Sequence, residues 1–332
     1  MALALASNGS DRKGALSFRL VIGVFFGLML SGLLFGLAIH RRYVGFERVV
    51  AHHVPPDAAL VLRWDVEKVS LFEPTRRFLL PLFDAHPAGS AAPAEAEGAR
   101  RRDRVAERTE LQLGRDLREA LVSFGPAPND WALVLGGSFP SSDVLGEALP
   151  VLERDGFRAV APGRLQTPGG FSLARAEDGA FVLAPSPSRL NAALVARPLD
   201  PSTPRTGAGS LVIHPERPGL PESIRQLLLG LGDVREVQAR AEWGSPLSLE
   251  LSVSFRGEAP PDVAERVRRA LGAVLLDELP RLEQKFGPLR VDSAENGRVS
   301  ARLLLDDIVL AAVSNRLANA LSAQLALRPA HD

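Results

Sequence analysis

The chain has 332 residues, with 39 basic side chains balanced by 39 acidic ones and no cysteine. Zero net charge argues against a nucleic-acid partner, which calls for a basic surface, and the missing thiol excludes cysteine nucleophiles and thiolate zinc sites. Only Lys13, Lys68 and Lys285 among the basic residues are lysine, which with abundant Ala, Pro and Gly reads as the composition of a GC-rich bacterial genome.

Residues 1–19 form a short N-terminal tail, and residues 20–39 follow as an uncharged run, LVIGVFFGLMLSGLLFGLAI. At 1.5 Å per helical residue this run spans about 30 Å, the hydrocarbon thickness of a bilayer. Its length exceeds a signal-peptide core, and Ala38-Ile39-His40 is a poor cleavage site, so the expectation is an uncleaved single transmembrane helix. Arg12, Lys13 and Arg19 flank one end and Arg41, Arg42 and Arg48 the other. The flanks nearly tie. With no thiol to oxidise, the assignment places the C-terminal part outside the cytoplasm, in the periplasm beyond a bacterial inner membrane. Gly23, Gly27 and Ser31 fall at four-residue spacing, as do Gly32 and Gly36. Small residues so spaced let two helix backbones approach, so membrane lipid and a second copy of the helix are the expected contacts here.

The rest divides into a first unit over residues 50–198 and a second over 209–328, separated by the Pro- and Gly-rich stretch 197–209. In the first, Ala58–Val66 reads as a strand. Residues 84–104 carry Ala, Pro, Gly and charge without large apolar side chains, the composition of a flexible loop. Thr109-Glu110-Leu111-Gln112 has the form of a capping box, and Leu113, Leu117, Leu121 and Phe124 follow at helical spacing. A strand is expected at Trp131–Phe139, a helix at Ser141–Asp155 that Pro150 should kink or end, and a hairpin across Asp178-Gly179. A short helix at Ser188–Ala196 closes the unit.

The second unit opens with a strand at Ser210–His214 and a helix at Pro221–Leu231. Strict alternation over Val237–Trp243 and Leu247–Phe255 predicts antiparallel strands with one dry and one wet face. Asp262 can cap one long helix whose stripe is Val263, Val267, Leu271, Val274, Leu275, Leu279, Leu282 and Phe286. Asn296-Gly297 turns another hairpin, and a last helix starts at Asp306-Asp307 with Val309, Val313, Leu317, Leu321 and Leu325 as its stripe. The fold class expected is α+β: a transmembrane helix, then two related antiparallel-sheet units with helices packed on one face.

A membrane helix followed by Val54, Pro55, Pro56, Asp57, Ala58 and Ala59, with Asp65 at the strand end, resembles certain bacterial membrane-anchored extracytoplasmic proteins of unknown function. The resemblance implies topology and fold class, and it carries no activity.

No catalytic, cofactor or metal residues emerge. The histidines His40, His52, His53, His86, His214 and His331 lack ligand spacing. Gly136-Gly137-Ser138-Phe139-Pro140 lacks the closing glycine of a nucleophile elbow. Asp306-Asp307 and Asp277-Glu278 read as a helix cap and a solvated face, and Trp64, Trp131 and Trp243 as core packing. No cofactor is therefore expected. The leading expectation is a non-enzymatic interaction or scaffold region anchored in the bacterial envelope, whose partner is an envelope protein. An envelope carrier would instead show an apolar pocket open between sheet and helices. An enzyme would show a cleft joining three or more ionisable residues.

Overall fold

The computed structural model describes residues 49–66, 108–109, 116–127, 130–139, 143–198, 208–220, 222–242, 244, 246–275, 278–294, 297–310 and 312. The expected transmembrane helix with Gly23, Gly27, Ser31, Gly32 and Gly36, the loop 84–104 and most of the 197–209 boundary lie outside them. Among the described residues no helix is long and apolar enough to cross a membrane.

Among the described residues twelve strands form one antiparallel sheet. They are β1 (Leu60–Asp65), β2 (Leu117–Phe124), β3 (Trp131–Gly137), β4 (Arg158–Ala161), β5 (Arg164–Gln166), β6 (Ser172–Arg175), β7 (Phe181–Ala184), β8 (Gly209–Ile213), β9 (Val234–Glu242), β10 (Leu247–Phe255), β11 (Arg290–Ala294) and β12 (Arg298–Leu305). The spatial order is β11-β12-β10-β9-β8-β1-β2-β3-β7-β6-β5-β4. Both expected units thus supply strands to one sheet, joined where β1 pairs with β8. Among the described residues the helices with both ends placed are α1 (Val144–Leu152), α2 (Pro187–Leu194), α3 (Glu222–Leu231), α4 (Val263–Leu275) and α5 (Glu278–Phe286), with 3-10 turns at Val50–His53 and Glu153–Asp155 and helical residues at 307–310.

Side chains alternate between the two faces of a strand, and the register sorts the core accordingly. On the front face, α3, α4 and α5 pack over β8, β9, β10 and β12 through residues such as Leu228, Val267, Leu282, Val253 and Leu303. Farther along the same face, α1 covers β5 to β7 through Val144, Leu145, Leu165, Phe181 and Leu173. On the back face, α2 and the Val50–His53 turn pack Leu190, Ala193 and Val50 against Val61, Leu121, Val134 and Val182. Helices on one face therefore hold only for the second unit. The first unit needs both faces covered because Leu135 and Phe181 point forward while Val134 and Val182 point back.

Three further expectations are corrected. Leu117–Phe124 is a strand, not the expected helix. It lies between β1 and β3 and buries residues on both faces, so its apolar run loses the period-two signature and imitates a helical one. The long helix expected from Val263 to Phe286 is two helices, α4 and α5, and Val274 is 51% exposed rather than part of the stripe. The wet face of β10 is not wet throughout: Ser252 is buried and accepts a hydrogen bond from Arg298 Nε at 2.6 Å.

The two halves repeat one path. The order β1-β2-β3-β7-β6 on one side matches β8-β9-β10-β12-β11 on the other, with α1 and α4 following the third strand of each. Across the strands, Leu133↔Leu183↔Leu173 answers Leu251↔Ala301↔Val291. The hairpin turns correspond at Gly179 and Gly297, with φ of 92° and 65°. A Cβ at Gly297 would also sit only 2.3 Å from the Gly257 carbonyl oxygen. A local two-fold through the Leu62↔Leu211 pair relates the halves. They part company after α1 and α4: one half adds the hairpin β4–β5, and the other adds α5.

Candidate functional site

The buried polar groups hold the fold together. Arg63 on β1 donates to Glu119 on β2 at 2.9 Å, and both side chains are almost wholly buried. Arg189, buried on α2, donates to Asp57 at 2.8 Å and lies 3.4 Å from Asp130. Asp57 of the Val54–Ala59 phrase thus ties the entry to β1 to α2. His53 Nδ1 donates to the Ala193 carbonyl at 2.7 Å, and its Nε2 lies 2.8 Å from Asp178. His52 Nδ1 donates to the Arg197 carbonyl at 2.8 Å, and Arg197 N–H donates back to His52. The Val50–His53 turn is therefore clasped to α2 and to the β6–β7 turn.

The residues weighed as chemistry take structural places. Asp306 Oδ1 accepts from Val309 N–H at 3.1 Å, and its carboxylate receives Arg281 and Lys285, each at 2.8 Å. Burial pushes this carboxyl upward, but the bonds from Lys285, Val309 and Arg281 prevail and hold it below the usual carboxylate range. Glu278 pairs with Arg281 at 2.8 Å, while Asp277 lies outside the described residues. His214 lies 3.6 Å from Glu236. Trp131 packs on Phe171 with ring centroids 6.1 Å apart. Among the described residues no group of three or more His, Cys, Asp or Glu could hold a metal ion.

Two concavities stand out among the described residues. The first, about 270 Å³, lies on the back face of the second half, which no described helix covers, and is lined by Arg240, Glu242, Ser248, Glu250, Asp292 and Arg302 among others. Five of these are ionisable, more than the three set for an enzyme cleft, and they stand on the back face of the sheet. Arg240 pairs with Glu242, and Arg302 Nε donates to the Ser248 hydroxyl.

The second, about 370 Å³, is mainly apolar and lies between α1 and the hairpin β4–β5, lined by Leu145, Gly146, Leu149, Ala159, Val160 and Leu165 among others. It opens between a helix and the edge strands of the sheet, the apolar space set for a carrier, away from the core under α3, α4 and α5. Asp143 positions α1 by accepting from Gly146 N–H at 3.2 Å, the N-cap bond. Beside it, β4 is an edge strand whose four residues are all exposed, with Val160 at 58%. Val160 occupies a bulge, where the register of β4 on β5 shifts between Ala159 and Ala161. The sequence reading missed this hairpin. Its signal was Pro162-Gly163 between two short apolar runs.

No family model and no curated protein matches the chain. Solved structures similar to it include crystal form I of TP0453, at 10% identity and a TM-score of 0.46 over 85% of this chain and 98% of that one. Crystal form III gives 11% and 0.47 over 83% and 98%, and crystal form IV gives 12% and 0.45 over 83% and 97%.

Proposed function

We propose that this chain is a single-pass membrane-anchored protein of the bacterial envelope whose C-terminal region is a non-enzymatic, extracytoplasmic interaction module. The anchor rests on the uncharged run at residues 20–39. The interaction role rests on the open edge of β4 beside the apolar groove of α1. An exposed edge strand presents unpaired backbone donors and acceptors to which an extended segment can add. The carrier reading would place its apolar ligand in the same space between α1 and the β4–β5 hairpin.

The test joins fractionation to site-directed cross-linking in membranes. Full-length protein should stay in the pellet through alkaline carbonate. A photo-reactive side chain at position 160 should give adducts, and one at Asp292 on the opposite edge should not. Release by carbonate overturns the anchor; no adduct from position 160 overturns the docking edge.

The second reading is an enzyme, and the observation in its favour is the set of five ionisable groups on the back face. That reading requires Glu250→Gln to abolish a turnover that Arg158→Glu leaves intact.

A further inference from the structure

We propose that the β4 edge binds an extended segment of a partner protein whose side chains alternate between acidic and apolar, added to the sheet as a thirteenth strand. The proposal rests on the interaction reading above and names the chemistry of the partner at that site.

The register fixes which side chains flank an added strand. Ala159 pairs with Leu165, and Leu165 with Leu173, so Ala159 shares the front face with α1 and the apolar groove. Arg164 pairs with Ala174, a back-face residue. Arg158 pairs with Gln166, Gln166 with Ser172, and Ser172 with Ala184, also a back-face residue. The edge hairpin therefore offers apolar surface in front and two exposed guanidinium groups behind. Among the described residues neither arginine is paired with a carboxylate; Arg164 donates only to the Asn191 side-chain oxygen at 3.0 Å. A strand laid on β4 would turn alternate residues to the front, against Leu145 and Leu149, and the others to the back, beside Arg158 and Arg164. Apolar residues satisfy the first set and carboxylates the second.

The opposite edge makes the contrast. On β11, exposed Arg290 and Asp292 already set one charge of each sign along the strand, and the front flank is filled by Phe286 and Leu289 in the core. A second copy of this chain is a poorer occupant of β4. Antiparallel self-pairing would bring another Arg158 to the face that carries Arg164 and would supply no acid. Four residues of strand, about 13 Å, set the length of the contact, so the affinity of a bare peptide should be modest and its salt dependence marked.

The experiment uses full-length protein in nanodiscs and two fluorescent hexapeptides, Glu-Val-Glu-Leu-Glu-Val and Lys-Val-Lys-Leu-Lys-Val. The acidic peptide should bind at least tenfold more tightly than the basic one. Arg158→Glu combined with Arg164→Glu should reverse that preference, and both sites are exposed, so the fold should persist. Bound acidic peptide should slow amide exchange at residues 158–161 and leave 290–294 unchanged. Equal binding of the two peptides, an unaltered preference in the double variant, or protection at β11 instead would overturn the proposal. So would chain dimers cross-linked through position 160 without binding of either peptide. Adducts from position 160 to another protein, with no peptide preference, would leave the interaction reading standing and remove only the partner chemistry.

Discussion

At the scale of single residues, the buried ions make the sharpest predictions. Glu119→Ala leaves the Arg63 guanidinium buried without its carboxylate partner and should cost about 3–5 kcal/mol, the usual penalty for an orphaned buried charge. Adding Arg63→Met should recover part of the loss, read as thermal melts of the single and double variants. Asp306 gives a pH signature. Its carboxyl is held below the ordinary range in the folded chain, so its contribution is present above the unfolded carboxylate value. That contribution fades as the pH falls through the depressed folded value. Asp306→Ala should lose about 0.5–2 kcal/mol of cap and ion pairing at neutral pH. Asp306→Asn should retain the cap and flatten the acid limb, seen in urea unfolding at pH 7 and pH 3. The cap was legible in the sequence because an acidic pair precedes an apolar stripe. The Arg63–Glu119 and Arg189–Asp57 pairs were not, since their partners lie 56 and 132 residues apart and only the fold brings them together.

At the scale of elements, legibility followed the number of covered faces. β9 and β10 were readable because one face is apolar and the other polar, and the two strands pair in the expected hairpin. β2 was unreadable because both of its faces are covered. The four residues of β4 were too few to show a period, and they bury nothing. The front-facing residues of β10 give a direct test. Leu251→Asp would put a carboxylate against the α3–α5 core and should cost several kcal/mol. Glu250→Ala, on the exposed back, should change stability by less than about 0.5 kcal/mol. Similar melting temperatures for these two variants would contradict the face assignment. Glu250 also suits a topology probe, because the chain has no cysteine. Glu250→Cys should react with a membrane-impermeant thiol reagent in intact spheroplasts, and protection until lysis would place the region in the cytoplasm.

At the scale of the whole molecule, one sheet crosses the boundary that composition suggested. The Pro- and Gly-rich stretch 197–209 marks a point in the chain between repeats. It is not a gap in the structure, because β8 pairs directly with β1 along five residues of each strand. Sequence could suggest the duplication through Asp178-Gly179 and Asn296-Gly297. It could not show that the copies share their hydrogen bonds. Residues 49–332 should accordingly melt in one transition with coincident near- and far-ultraviolet signals. Residues 209–332 expressed alone would bare the β8 edge and the apolar residues that β1 covers. Size-exclusion chromatography should find them aggregated rather than monomeric. Two resolved transitions, or a monomeric half, would separate the units.

The clasp at Val50–His53 has a mechanical meaning for a tethered protein. Among the described residues it is the first point that tension arriving from the N-terminal side would meet, ahead of β1. Its bonds to Ala193, Asp178 and Arg197 come from His52 and His53 together, so a pull would be shared among them instead of peeling the central strand one bond at a time. The load would pass into α2 and the β6–β7 turn. His53→Ala should therefore lower the unfolding force in a single-molecule pull from the N-terminus. The same substitution should have a smaller effect when the pull begins at β1.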